Sequence, residues 1–106
     1  MKSEDNNIAQ MIKSSIHLQN PAAKVILFGS RARGDSNYQS DWDILVVIDK
    51  PLLNRAEEKE YRNRIFNIEL EIEQPISLFV VSKTDWDGKY MFSPFYENIK
   101  KEGIQL

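Results

Sequence analysis

Cysteine is absent from this chain, and histidine occurs once, as His17. Those shortages exclude a disulfide framework, a thiolate metal site, a cysteine nucleophile and a histidine-rich zinc centre. No apolar run approaches the roughly 18–20 residues that span a bilayer. The opening residues MKSEDNNIAQ are polar and acidic and do not read as a secretory signal, so the expectation is a cytoplasmic protein with no membrane partner. An excess of basic charge is also missing. Lys+Arg 14 against Asp+Glu 16 gives a net charge of -2, which argues against extended, unspecific nucleic-acid binding but leaves room for a local arginine cluster. Any catalysis must then rest on carboxylates, hydroxyls and metals bound through oxygen.

What is present suits one folded unit. At 106 residues, with 42% hydrophobic and 28% charged side chains, the chain is expected to form a single domain over 1–106 with its own core. It shows no internal repeat, low-complexity stretch or linker. Ile8, Met11, Ile12 and Ile16 recur at helical spacing, which predicts an amphipathic helix over about Ser3 to Gln19. Asn20-Pro21 ends it. Val25 to Phe28 is a short apolar run that stops at Gly29 and reads as a buried strand. Gly29 to Ser40 is a structured loop, and Asp41 to Ile48 a second strand. Asn54 to Glu73 reads as one long helix, although Ile68, Leu70 and Ile72 also alternate as a strand would. Ile76 to Val81 is a third strand, and Pro94 to Glu102 a helix stopped by Gly103. The order α-β-loop-β-α-β-α predicts a small α/β (α+β) fold, a three- to four-stranded mixed sheet packed by helices.

The informative stretch is VILFGSRARGDSNYQSDWDILVVID, Val25 to Asp49. Gly29 lets the backbone turn sharply after the strand and lets a phosphate approach the amides. Ser30 can cap a short turn through Arg33, with its amide and hydroxyl toward an anion. Arg31 and Arg33 add charge-assisted donors. Asp41 and Asp43, two apart on a strand, project from one face about 6.6 Å apart. Two such anions repel each other, and a hard cation with oxygen ligands, Mg²⁺ or Mn²⁺, resolves the repulsion. A phosphate cradle beside a carboxylate pair is equipment for nucleotidyl or phosphoryl transfer. Either feature alone has an ordinary explanation, a tight turn or a solvated strand edge. Gly29 and Gly34 have P-loop spacing, but Asp35-Ser36 stands where Lys-Ser/Thr must follow. Arg33-Gly34-Asp35 spells an adhesion tripeptide by chance.

Together, Gly29, Ser30, Ala32, Gly34, Ser40, Asp41, Asp43 and the apolar run Ile44 to Ile48 resemble the nucleotidyltransferase superfamily of DNA polymerase β and kanamycin nucleotidyltransferase. The match is closest to its minimal nucleotidyltransferases, whose tail is similar to Pro94 to Ile99 with Glu102-Gly103. The resemblance implies Mg²⁺-dependent nucleotidyl transfer from an NTP, ATP first, with Gly29, Ser30, Arg31, Arg33 and Ser40 on the nucleotide and Asp41 and Asp43 as catalytic metal ligands. It places Ser77 where the family carries a third carboxylate, which opens the alternative of a catalytically weakened nucleotide- or partner-binding module. It also implies a helical HEPN-domain protein as partner, with this chain as the antitoxin that adenylylates it. A chain of 106 residues is expected to leave no room for a separate acceptor domain, so the acceptor site is expected from a partner, a second copy in a homo-oligomer, or the open cleft.

The remaining polar and aromatic candidates have plainer readings. His17 sits at a helix C-terminus, where a cation is favoured. Glu69, Glu71 and Glu73 are a solvated helix end unless that segment is extended. Glu57 to Glu60 with Arg62 and Arg64 form an exposed face of i,i+4 pairs. Trp86, Tyr90, Phe92, Phe95 and Tyr96 are core or cover, with base stacking as the alternative role. Trp42 points away from the aspartates by strand parity, and Tyr38 is placed to touch a ligand.

Overall fold

The computed structural model describes residues 3–37 and 40–106. Helix α1 spans Ser3–Gln19, and strand β1 Lys24–Phe28. A single turn of helix, α2, occupies Ser30–Arg33 before strand β2, Trp42–Ile48. Helix α3 runs Arg55–Ile72 and strand β3 Ile76–Ser82. Short helix α4 (Lys83–Asp87), helix α5 (Pro94–Glu102) and strand β4 (Ile104–Gln105) complete the chain. The expected order is present, the short turn expected through Arg33 forms α2, and α4 and β4 are added. The segment with competing periodicities is helical throughout: Asn54 accepts from the Glu57 amide at its start, and Glu73 turns into the left-handed region at its end.

The four strands lie in the order β3-β2-β1-β4. β1 is antiparallel to β2 and β4, while β2 and β3 are parallel, so the β2 to β3 connection must cross over, and α3 makes that crossing. Alternation divides the sheet cleanly. Val25, Leu27, Trp42, Ile44, Val46, Ile48, Ile76 and Val80 pack with Ile12 and Ile16 of α1 and with Tyr61, Ile65 and Ile68 of α3. Leu45 and Val47, with Ile26, Phe28 and Val81 at their margin, face Trp86 of α4 and Tyr96 and Ile99 of α5. Helices therefore cover both faces, and the continuous apolar run of β2 follows from its central place. Among the described residues no helix is long and apolar enough to cross a membrane.

This topology brings three strand ends together. β1 ends at Phe28 opposite Asp43, and Ser77, the second residue of β3, is in register with Asp43 on the other side. Phe28, Asp43 and Ser77 thus form one row on the sheet face that carries α4 and α5.

Candidate active site

The turn out of β1 needs glycine for two reasons. Gly29 has φ 76° and ψ −159°, in the region that side chains rarely adopt. A Cβ built on it would also overlap the Asp43 carboxylate. The crowding expected from a bound phosphate therefore comes first from Asp43. Gly29 is also the N-cap of α2, and no side chain caps that turn. Ser30, expected to cap it, is instead its first residue, and its carbonyl accepts from the Gly34 and Asp35 amides.

Asp41 and Asp43 flank Trp42, whose fully buried ring lies in the opposite core, so parity turns the carboxylates to the same face. Asp43 is half-buried, and its carboxyl is pushed above the ordinary carboxylate range. Burial is the main cause, repulsion from Asp41 adds to it, Arg33 opposes it, and Glu102 adds a smaller push. The Ser77 hydroxyl donates to Asp41 Oδ2 at 3.3 Å, joining β3 to the carboxylate pair.

Arg31 has a different place from the one the sequence suggested. Its side chain is 4% exposed, and its donors stay within the chain. Nε and Nη2 reach the Ser40 carbonyl at 3.2 and 2.9 Å, and Nη2 also reaches Gln74 Oε1 at 3.1 Å. Nη1 pairs with Asp5 at 3.4 Å, and the guanidinium lies 4.5 Å over the Trp42 ring. It braces the loop against β2 instead of presenting charge to solvent. The Ser40 hydroxyl, also expected at the nucleotide, accepts from the Asn37 amide at 3.0 Å.

Arg33 is exposed and lies between two carboxylates. Nε reaches Asp35 at 3.2 Å, and Nη1 reaches Glu102 Oε2 at 3.2 Å. Glu102 also accepts from the Gly29 amide at 3.3 Å. Glu102 belongs to the family-like tail Pro94 to Gly103, but it is 73 residues from Gly29, and only the return of α5 and β4 to β1 brings it here. On the same face Phe28, Phe79 and Phe95 form a ring cluster with centroids 5.4–5.9 Å apart, and Phe79 is exposed.

The other candidates lie elsewhere. His17 Nε2 is 2.9 Å from the Ala23 carbonyl. Glu69 accepts from the Ile76 amide at 2.8 Å, inside a segment that is helical. Arg62 and Arg64 pair with Glu58 and Glu60 as i,i+4 neighbours. Trp86 and Tyr96 are buried, while Phe92 is exposed. Tyr38 lies outside the described residues.

Residues 9–104 match the family model described as nucleotidyltransferase domain. The chain belongs to the nucleotidyltransferase family. A comparison with curated proteins finds no match. Membership supports nucleotidyl transfer as the general function and a nucleotide as substrate, in a family that generally uses divalent metals. The donor set is consistent with such an ion. Asp41 and Asp43 flank one residue, repulsion from Asp41 helps to raise the Asp43 carboxyl, and the Ser77 hydroxyl stands beside them. No group of three or more His, Cys, Asp or Glu side chains able to hold a metal occurs among the described residues. Two carboxylates suit a cation such as Mg²⁺, which keeps water and substrate phosphate oxygens for its other positions.

Proposed function

We propose that this nucleotidyltransferase is Mg²⁺- or Mn²⁺-dependent and moves AMP from ATP to a hydroxyl of a protein or small-molecule acceptor. The carrying observation is the abutment of Gly29 on the Asp43 carboxylate. It sets the phosphate-approach turn against the paired aspartates. Asp41 and Asp43 would hold the ion, which supplies charge neutralisation at the phosphates and a more acidic acceptor hydroxyl. Gly29, Ser30 and Arg33 would orient the triphosphate. The acceptor hydroxyl gives up its proton to solvent, its oxygen bonds to the α-phosphorus, the bond from that phosphorus to the α,β-bridging oxygen breaks, and pyrophosphate leaves. In this reading Arg31 and Ser40 act on the nucleotide indirectly, by holding the loop. The resemblance to minimal nucleotidyltransferases extends the proposal to a HEPN-domain partner as acceptor, in an antitoxin role, and to a cytoplasmic setting.

Thermal denaturation with Mg²⁺ and ATP together tests the metal and nucleotide roles. The native chain should gain melting temperature, and the double change Asp41→Asn, Asp43→Asn should abolish the gain. An equal gain in the double variant would place the ion elsewhere.

A second reading, a binding module with weakened catalysis, is favoured by Ser77. It stands in register with Asp43 where the family resemblance places a third carboxylate. A hydroxyl there carries no charge and is a weak base, and general-base catalysis is worth about 10²–10⁴-fold. Ser77→Asp should tighten metal binding and raise transfer. A folded variant with neither gain would remove Ser77 from that role.

A further inference from the structure

The α5 helix delivers a carboxylate to the donors that the proposed nucleotide needs. Glu102 is the last residue of α5, and its backbone has little freedom. A Cβ on the next residue, Gly103, would sit 2.9 Å from Ile26 Cγ2, and the chain then pairs Ile104 and Gln105 with β1. The side chain is less constrained, being 26% exposed. From that fixed base, Oε1 accepts from the Gly29 amide at 3.3 Å and from Arg33 Nη1 at 3.3 Å. Oε2 accepts from the same Nη1 at 3.2 Å. The carboxylate is thus held by one backbone N–H and one guanidinium, a donor pair suited to a phosphate oxygen.

We infer that Glu102 is an internal stand-in for phosphate, which holds the Gly29 amide and Arg33 until a nucleotide's phosphate exchanges for it. The inference rests on the nucleotidyl-transfer reading of this site and adds a residue that sets nucleotide affinity. Three observations favour exchange over permanent bracing. All three contacts are long for hydrogen bonds to a charged group, which usually lie near 2.7–2.9 Å, so giving them up costs little. Glu102 accepts from the amide of Gly29, whose α-carbon abuts the Asp43 carboxylate, so the native arrangement gathers anions where the proposed triphosphate enters. Arg33 also keeps its Asp35 contact at 3.2 Å, so the loop retains an anchor when Glu102 swings to solvent.

The sign of one change separates exchange from bracing. Glu102→Gln and Glu102→Ala are titrated by calorimetry with Mg²⁺–ATP and with Mg²⁺–pyrophosphate, a probe without base or sugar, after melts confirm the fold. Exchange predicts that both variants bind both probes about three- to tenfold tighter than the native chain, since loss of one charge-assisted contact removes a competitor of that size. Unchanged or weaker binding, with the native chain still binding Mg²⁺–ATP, overturns the role of Glu102 and leaves the nucleotide reading intact. Absence of binding by the native chain and both variants overturns the two together.

Discussion

Gly29 and Asp43 share one volume, and each constrains what can replace the other. Any side chain at 29 must displace the Asp43 carboxylate and adopt a φ of 76°. Gly29→Val is therefore expected to keep the sheet while weakening Mg²⁺–ATP binding more than tenfold, or about 1.4 kcal/mol, as read by calorimetry beside a circular-dichroism spectrum. Equal affinity would make Gly29 a turn residue only. Asp43 itself works against folding, because burial and Asp41 raise its pKa. A raised folded-state pKa means that the native state binds more protons. Its stabilising contribution is complete below the unfolded-state value and vanishes as pH rises through the folded-state one. Without metal, Asp43→Asn should melt higher than the native chain near neutral pH. The difference should close as the pH falls into the carboxylate range, about 4. A variant less stable than native at every pH would contradict this. The aspartate pair and its parity were legible in the sequence because alternation along a strand fixes which neighbours share a face, whereas the place of Ser77 beside Asp43 came from the family resemblance. The burial of Arg31 was not. An arginine beside a glycine loop reads the same whether it faces an anion or, as here, the Trp42 ring and the Ser40 carbonyl.

At the scale of elements, the loop between β1 and β2 keeps its shape through Arg31 and Gln74. Gln74 Oε1 accepts from Trp42 Nε1 at 2.9 Å and from Arg31 at 3.1 Å, so the end of α3, the loop and the first residue of β2 are tied at one point. Arg31→Ala removes contacts of a buried charge and should destabilise by about 2–3 kcal/mol. The change should appear as a lower urea midpoint with an unchanged slope; a loss below about 0.5 kcal/mol, the usual range of surface changes, would mean the loop needs no brace. One end of α3 is strained in the opposite sense. Glu73 sits at φ 56°, where L-residues are disfavoured by about 1–2 kcal/mol. Glu73→Gly should therefore raise stability, by about 0.5–1 kcal/mol after the entropy of a freer unfolded chain is set against the relief. A lower urea midpoint would show that the Glu73 side chain matters more than the strain. Helices α1, α3 and α5 were legible because each carries its period and its stops. Helix α4 escaped, although Ser82 and Asp85 form the cap spacing that marks it, with the Ser82 hydroxyl accepting from the Asp85 amide. Strand β4, two residues long, has no period to read.

Across the whole molecule, the order β3-β2-β1-β4 gathers the end of one strand and the starts of two others at one edge. The Gly29 turn, the carboxylates and Ser77 lie at the ends of β1, β2 and β3, and α5 adds Glu102 from the far end of the chain. This gathering depends on long-range pairing, so the sequence disclosed Gly29, Asp41, Asp43 and, through the family resemblance, Ser77, but not the place of Glu102 beside them. The aromatic cluster of Phe28, Phe79 and Phe95 lies on the same face. The most direct test of the central claim uses ATP labelled at the α-phosphate and, in parallel, at the γ-phosphate, with Mg²⁺ and a lysate as the source of acceptor. Nucleotidyl transfer should label an acceptor from the α-position alone, release the γ-label as pyrophosphate, and fail with Asp41→Asn, Asp43→Asn. Label transferred from the γ-position, or transfer undiminished in the double variant, would contradict the account.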